Sequence, residues 1–325
     1  DGVSASQPRS GWTLADMPSQ SGRRALITGA NSGIGFYTAL ELARAGAHVV
    51  LACRDRSRGD AAMARIRTAV PMASGEVVLL DLASLASVRT AAEIEVARGT
   101  ALDLLINNAG IYAPKKRLET ADGFELQFGT NVLGHFALTA LLLPALVRAA
   151  EGGDERPRVV TIASIAHKRA QLNFDDLQST TNYSPSKSYG QSKLANLMLA
   201  FELDRRLRAA DEPKARVRSV AAHPGVANTN LFEAGDFQSA EQAMRRAITA
   251  TIGTLLNSEA QGALPTLFAA TAEDAVSGGY YGPQGFQEMR GGDVGLARVS
   301  SQARDEIAAT RLWRECERLT GITLR

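Results

Sequence analysis

From residue 22 onward, short apolar runs alternate with longer stretches of helical periodicity. Residues 25–28, 48–53, 76–80, 102–106 and 158–164 are nearly continuous in apolar side chains, as strands buried on both faces are. Between them the pattern predicts helices over about 34–45, 57–70, 84–97 and 124–149. The first carries Ile34, Thr38, Leu42 and Ala45 on one stripe and stops at Gly46; the second is closed by Pro71; Pro144 predicts a kink in the fourth. Further on come a helix from Pro185 to about residue 207, a strand over 217–222, helices over about 240–256 and 259–272, a last strand at 279–281, and a C-terminal helix through Trp313. This alternation predicts an α/β fold in three layers, a parallel sheet with helices on both faces, and ligands at the strands' C-terminal ends.

The first strand leads into Thr28-Gly-Ala-Asn-Ser-Gly-Ile-Gly35. Gly29, Gly33 and Gly35 let the backbone turn sharply and bring its N–H groups close to a ligand, with Asn31, Ser32 and Ile34 completing the turn. A helix starting near Ile34 adds its positive end and unpaired N–H groups, which suits a pyrophosphate. The spacing, G-x-x-x-G-x-G, differs from the usual G-x-G-x-x-G dinucleotide fingerprint, so the strand before it and the helix and strand after it carry the reading. At the end of the second strand Cys53 is followed by Arg54. An acidic residue near this point binds a ribose 2′-hydroxyl, whereas an arginine accommodates a 2′-phosphate. Arg54 therefore predicts NADP(H), with Asp55 turned away or paired to Arg56 or Arg58. Asp81, with Leu82 beside it, ends the third strand where an adenine would lie.

Composition narrows the function classes. The chain has 325 residues, 45% hydrophobic and 22% charged, with a net charge of +2, an ordinary globular balance. Lys115-Lys116-Arg117 is its densest basic cluster and reads as a solvated loop, so no nucleic-acid partner is expected. No apolar run reads as long enough to span a bilayer, and there is no secretory signal. Cys53 and Cys316 lack metal spacing and suit a reducing cytoplasm, and the four histidines form no ligand pattern, so no metal is expected. Residues 1–20 are polar and aperiodic: a loose arm or cloning remnant, with Trp12 and Leu14 as candidate anchors. No Pro/Gly/Ser linker divides 21–325, which reads as one domain.

Taken in order, the glycine turn, Asn107-Asn-Ala-Gly110, Ser164, Tyr189-x-x-x-Lys193 and His223-Pro-Gly225 resemble the short-chain dehydrogenase/reductase family. Tyr189-Gly-Gln-Ser-Lys-Leu-Ala-Asn196 and Tyr280-Tyr-Gly-Pro283 resemble its retinol-dehydrogenase-like branch. The resemblance implies a Rossmann-type doubly wound fold, a nicotinamide cofactor and carbonyl/alcohol interconversion. It implies that Asn108, Ala109 and Gly110 line the cofactor, that Pro224, Gly225, Val226 and Thr229 line its nicotinamide end, and that Lys193 holds the ribose. It also implies that Asn131 supports a proton-relay water. The family's dimer face uses the helices around Phe124 and Tyr189, which leaves monomer and homodimer both open here.

Tyr-x-x-x-Lys occurs three times, but Pro114 and Pro185 interrupt Tyr112/Lys116 and Tyr183/Lys187. Ser184-Pro185 reads as an N-cap and first helical residue, placing Tyr189 and Lys193 one turn apart on one face. A lysine cation there is expected to lower the phenol's pKa, making Tyr189 the general acid/base, with Ser164 bonding the same substrate oxygen. The stretch 166–183 between Ser164 and Tyr189 is longer than the family usually has. Its Leu172, Phe174 and Tyr183 are candidates to wall a pocket or cover a subunit surface, and His167 is expected to make a pocket or loop hydrogen bond. Residues 226–256, with Phe232 and Phe237, read as a substrate lid, while Phe286 and Met289 are candidates to close the substrate side or fill the core. Few charged anchors stand among these side chains, so the expected substrate is a bulky, apolar ketone, aldehyde or alcohol. The rival readings are a non-catalytic NADPH-binding sensor or partner protein, and a fold-sharing epimerase or dehydratase.

Overall fold

Eight strands form one sheet: β1 (Arg24–Thr28), β2 (His48–Cys53), β3 (Gly75–Leu79), β4 (Leu104–Asn107), β5 (Arg158–Ile162), β6 (Arg218–Ala222), β7 (Tyr280–Pro283) and β8 (Val294–Leu296). The computed structural model describes residues 11–112, 115–153, 155–226 and 257–324. The spatial order is β3-β2-β1-β4-β5-β6-β7-β8, parallel except for antiparallel β8. Alternation within the strands feeds two cores. Leu26, Val50, Leu105 and Val159 face one, with α3 (Leu85–Ala97), α4 (Leu126–Gly152), α5 (Pro185–Arg208) and α7 (Glu306–Thr320). Ile27, Val49, Leu51, Ile106 and Val160 face the other, with α1 (Gly33–Arg44) and α6 (Glu259–Thr271). On the outer flank of β2, α2 (Arg56–Ala69) adds Ala62, Met63 and Ile66. This is the expected doubly wound α/β/α fold.

Strand order reverses between β1 and β4, and the crevice opens beyond their C-terminal ends, at Thr28 and Asn107. Most elements lie within two residues of their expected places. Helix α4 runs through Pro144, in keeping with its expected span. Its irregularity is a π-helical turn at Gly129–Leu133. The helix passes close to its neighbours at both ends of that turn: a Cβ on Gly129 would collide with Thr120, and one on Gly134 with the Leu82 carbonyl. Contrary to the composition reading, α4 is long and apolar enough to cross a bilayer by length and hydropathy alone. Most of it is buried among the other elements, however, so it is accounted for as a core helix. Strand β8 is an addition, a three-residue Val-Gly-Leu edge too short to show a period.

Trp12 is 8% exposed and meets Phe268 of α6 edge-on at 5.4 Å between ring centroids, whereas Leu14 is exposed. The segment 240–256, expected to be helical, lies outside the described residues, as does the lid apart from Val226. Removing a buried aromatic costs about 3 kcal/mol or more. Trp12→Ala should therefore lower unfolding free energy by about 3 kcal/mol in urea titration if the N-terminal segment is integral to the fold; a loss within noise would make it an appendage.

Candidate active site

The turn after β1 is built as its glycines require. Gly29 and Gly33 have φ of +67° and +59°, and a Cβ on Gly35 would lie 2.5 Å from both the Gly29 carbonyl oxygen and Asn108 Nδ2. Ser32 is the N-cap of α1 but makes no side-chain capping bond, which leaves the helix's N-terminal N–H groups turned to the crevice. The carboxyl-end joint between β1 and β4 is the Thr28 hydroxyl. It accepts from the backbone N–H of Asn108 and of Ala109, each at 2.9 Å, while Asn108 Nδ2 donates to the Thr28 carbonyl at 2.9 Å.

Behind this joint lies His135, a residue sequence reasoning passed over. Its Nδ1–H donates to the Asn131 carbonyl at 3.1 Å, so its Nε2 is free to accept from the Thr28 hydroxyl at 2.9 Å. Burial pushes the ring's pKa down to about 4, with the bond to Asn131 opposing and the Lys193 cation assisting. The only sequence signal for it is position: one helical turn after Asn131.

A cleft of about 600 Å³ runs across the carboxyl ends of β1, β2, β4 and β5. Gly29, Asn31, Ser32, Gly33, Ile34 and Gly35 line its floor, and Arg54, Asp81 and Leu82 one end. Asn108, Ala109 and Gly110 line the middle; Ser164, Tyr189, Lys193, Pro224, Gly225 and Val226 line the other end. Thr229 lies outside the described residues. Asn131 is the exception among the described candidates: it is fully buried behind the cleft. Its Oδ1 accepts from Ile111 N at 2.9 Å, and its Nδ2 donates to Ile111 O and Ser192 Oγ, both at 3.0 Å. Ser192 in turn donates to the Tyr189 carbonyl at 2.8 Å. In this arrangement Asn131 splints the loop after β4 to the tyrosine's helix.

Ser164 Oγ accepts from Ala166 N at 3.2 Å, capping the turn Ile165–Arg169, and lies close enough to the Tyr189 hydroxyl to oppose the rise in its pKa. Tyr189 and Lys193 share one continuous helix, α5, as expected. The electrostatics differ from the expectation that the lysine lowers the phenol's pKa. Lys193 Nζ donates to the Ile162 carbonyl at 3.0 Å and stands 5.8 Å from the Tyr189 ring centroid. Burial dominates for both groups: it pushes Tyr189 up to about 12, against the Ser164 bond and with help from Tyr112, and pushes Lys193 down to about 8. Tyr189 lines the cleft and is only partly exposed, so the surrounding protein excludes most water from its hydroxyl.

The segment after Ser164 does not wall the cleft as anticipated. Leu172 and Phe174 pack against the core, with Arg311 of α7 4.2 Å over the Phe174 ring, because Gln191 of α5 draws the segment inward. Gln191 Oε1 accepts from Asn173 N at 2.9 Å and its Nε2 donates to Leu177 O at 3.0 Å. Tyr183 sits outside the cleft lining, and Phe232 and Phe237 lie outside the described residues. The apolar walls near Tyr189 are instead Tyr112, Leu126 and Ile165, Tyr112 lying 5.4 Å from Tyr189 between ring centroids. Phe286 is 69% exposed, while Met289 is half-buried and accepts from Val226 N at 2.8 Å. His167 makes the expected loop hydrogen bond, to Ser164 O at 2.7 Å.

A profile for short chain dehydrogenase matches residues 23–238. The chain belongs to the short-chain dehydrogenase/reductase family. It is 41% identical over 306 residues to the polyprenol dehydrogenase of Mus musculus, covering 94% of this chain and 86% of that one. Retinol dehydrogenase 14 of Homo sapiens is 36% identical over 316 residues, covering 93% and 87%. These relatives support the retinol-dehydrogenase-like branch. Among solved structures, an uncharacterized protein from Mycobacterium Paratuberculosis superposes with a TM-score of 0.75 at 40% identity, covering 97% and 99%. Membership makes this chain an oxidoreductase of a family that uses a nicotinamide cofactor. The cleft fits such a group: cradling glycines, an uncapped helix start and a proton-carrying hydroxyl pair occupy one continuous space.

The buried His135 makes stability depend on acid. Its folded pKa lies below the unfolded value, so between about pH 6.5 and 4 the unfolded chain takes up a proton that the folded chain refuses. Stability therefore falls as pH falls through that window, by about 3 kcal/mol for a shift from 6.5 to about 4. His135→Gln should flatten the pH dependence of unfolding free energy by about that amount; an unchanged slope would remove His135 as its source.

Proposed function

We propose that this chain is an NADP(H)-dependent oxidoreductase that interconverts a ketone or aldehyde with an alcohol on a bulky apolar substrate. The observation that carries this reading is the Ser164–Tyr189 hydroxyl pair at the end of the cleft farthest from Arg54. When bound, the nicotinamide supplies or accepts the hydride. The chain's own residues manage the oxygen: Ser164 Oγ donates a hydrogen bond to it, and the Tyr189 hydroxyl gives it a proton on reduction or takes one on oxidation. A phenol kept protonated by burial favours donation, the direction of carbonyl reduction. Lys193, held beside Ile162, presents its amine to the cofactor's ribose.

Three features support NADP(H) over NAD(H). Cys53 is buried, with its sulfur where a Cβ on Gly59 would have to go, so no acidic side chain stands at this position to bind a 2′-hydroxyl. The Asp55 carboxylate is engaged as the N-cap of α2, accepting from Arg58 N at 3.0 Å. Arg54 lines the cleft together with Arg58, one of the two arginines expected as alternatives to pair with Asp55 if it did not turn away. The substrate class rests on the walls formed by Tyr112, Leu126 and Ile165, and on relatives named for retinol and polyprenol, both large apolar alcohols. A cytoplasmic location is part of the proposal, supported by two buried free thiols.

Tyr189→Phe should lower turnover of apolar aldehydes by about 10²–10⁴-fold while leaving NADPH affinity within a few-fold. Retained turnover would show that another group moves the proton. Arg54→Ala should weaken NADPH binding by about ten- to a hundredfold with little change for NADH, since it removes a charge-assisted bond to the 2′-phosphate alone. Equal losses in fluorescence titrations with the two cofactors would take Arg54 out of that role.

A further inference from the structure

A buried ionisable cluster outside the cleft joins four segments. Glu288 lies in the turn Phe286–Glu288 after β7, and its side chain is nearly enclosed. Its Oε2 accepts from Lys168 Nζ at 2.6 Å, its Oε1 accepts from Arg298 N at 2.9 Å, and His223 Nε2 stands 3.6 Å from Oε2. Lys168 belongs to the turn that Ser164 caps. His223 opens the Pro224–Gly225 turn on the same end of the cleft.

The His223 ring is fully buried, and its two nitrogens have different partners. Nδ1 accepts from Gly225 N at 3.1 Å, which requires the proton to be on Nε2. Among the described residues Nε2 has no partner nearer than the Glu288 carboxylate, and a Cβ on Gly282 would overlap it, so the ring has little room to turn. In the opposite tautomer an Nδ1–H would oppose the Gly225 N–H, and a lone pair would oppose a carboxylate. The Glu288 charge thus acts with the Gly225 N–H in selecting the proton's position. Burial acts against that charge, but His223 and Lys168 outweigh it and bring the carboxyl down to about 2. The backbone is bent to deliver it: Gln287 and Glu288 have φ of 50° and 60°, two successive non-glycine residues in the left-handed region.

We propose that Glu288 is a positioning residue that braces both turns flanking the reaction end of the cleft, holding Ser164's turn through Lys168 and Gly225 through the Nε2–H tautomer of His223. The inference rests on the oxidoreductase reading for its consequence, since what Gly225 would border is the nicotinamide. Glu288 touches neither the cleft nor the reacting atoms.

The test is Glu288→Gln, which keeps the side chain's length and its acceptor for Arg298 N but removes the charge. Histidine ¹H–¹⁵N correlation spectra of the parent should show His223 protonated on Nε2, and in the variant about half or more of the population should lose that tautomer. NADPH should bind the variant within about threefold of the parent, because the phosphates are held elsewhere, yet with altered emission from the bound nicotinamide. An unchanged tautomer, or a changed tautomer with identical bound emission, overturns the proposal. If the variant does not fold, the parent spectrum decides: His223 protonated on Nδ1 overturns the brace. A parent that binds no NADPH removes the oxidoreductase reading instead, and the tautomer still judges Glu288.

Discussion

One hydroxyl holds the crevice open. Adjacent parallel strands β1 and β4 lead their chains to opposite sides of the sheet, so the backbone N–H groups just past their ends lose ladder partners. Thr28 Oγ1 accepts two of them, from Asn108 and Ala109, and its own O–H donates to His135 Nε2. Asn108 N also reaches the Ile106 carbonyl at 3.0 Å, so it is Ala109 N that depends on the hydroxyl, and an orphaned buried N–H costs about 1–3 kcal/mol. Valine would fill the same space and satisfy neither. Ala109 is thereby kept 3.1 Å from where a Cβ on Gly29 would lie, a tight approach that adds to the demand its φ of +67° already makes for glycine. The loop after β4 and the glycine turn are consequently one object, fixed from beneath.

The same fixing reaches the chemistry. His135 bonds the Asn131 carbonyl, Asn131 bonds Ile111 and Ser192, and Ser192 bonds the Tyr189 carbonyl. Each link uses a neutral donor and acceptor, and the neutral His135 with a pKa near 4 keeps the chain intact through the physiological range. A charged relay at this depth would demand compensation that the apolar surroundings do not offer. Tyr189 and Lys193 show the same rule, burial pushing each toward its uncharged form.

What was legible in the sequence follows from range. Strands and helices are written in local period, and Tyr189/Lys193 in helical spacing, so these were readable; the glycine turn was readable because its φ values admit little else. The π turn in α4 was not, because it sits where Thr120 and Leu82 press on Gly129 and Gly134 from other elements. Lys193 looked like a cation poised to lower a phenol's pKa because spacing reports proximity and is silent on dehydration. His135 and Glu288 were missed for a related reason: a single buried histidine or glutamate has no pattern, and its meaning lies in partners more than a hundred residues away, Thr28 and Lys168.

The stretch after Ser164 shows how such partners shape the chain's additions. Helix α5 turns Ser188, Gln191, Ser192, Lys193 and Asn196 inward, an unusual number of polar groups for a buried face. A half-satisfied polar network in a low-dielectric core is worse than an apolar one, so placing Tyr189 and Lys193 on this helix obliges the fold to supply partners around it. Ile162 supplies Lys193 and Asn131 supplies Ser192. Gln191 is supplied by Asn173 and Leu177, which lie in the stretch that makes this chain longer between its serine and tyrosine. Farther along, α7 closes the helix's outer surface, with Trp313 edge-on to Phe136 at 4.9 Å and beneath Arg206 at 4.6 Å. Both segments thus cover helix α5, and neither lines the cleft. Among the described residues of the cleft, Tyr112 packs its ring directly on Tyr189, 5.4 Å between centroids.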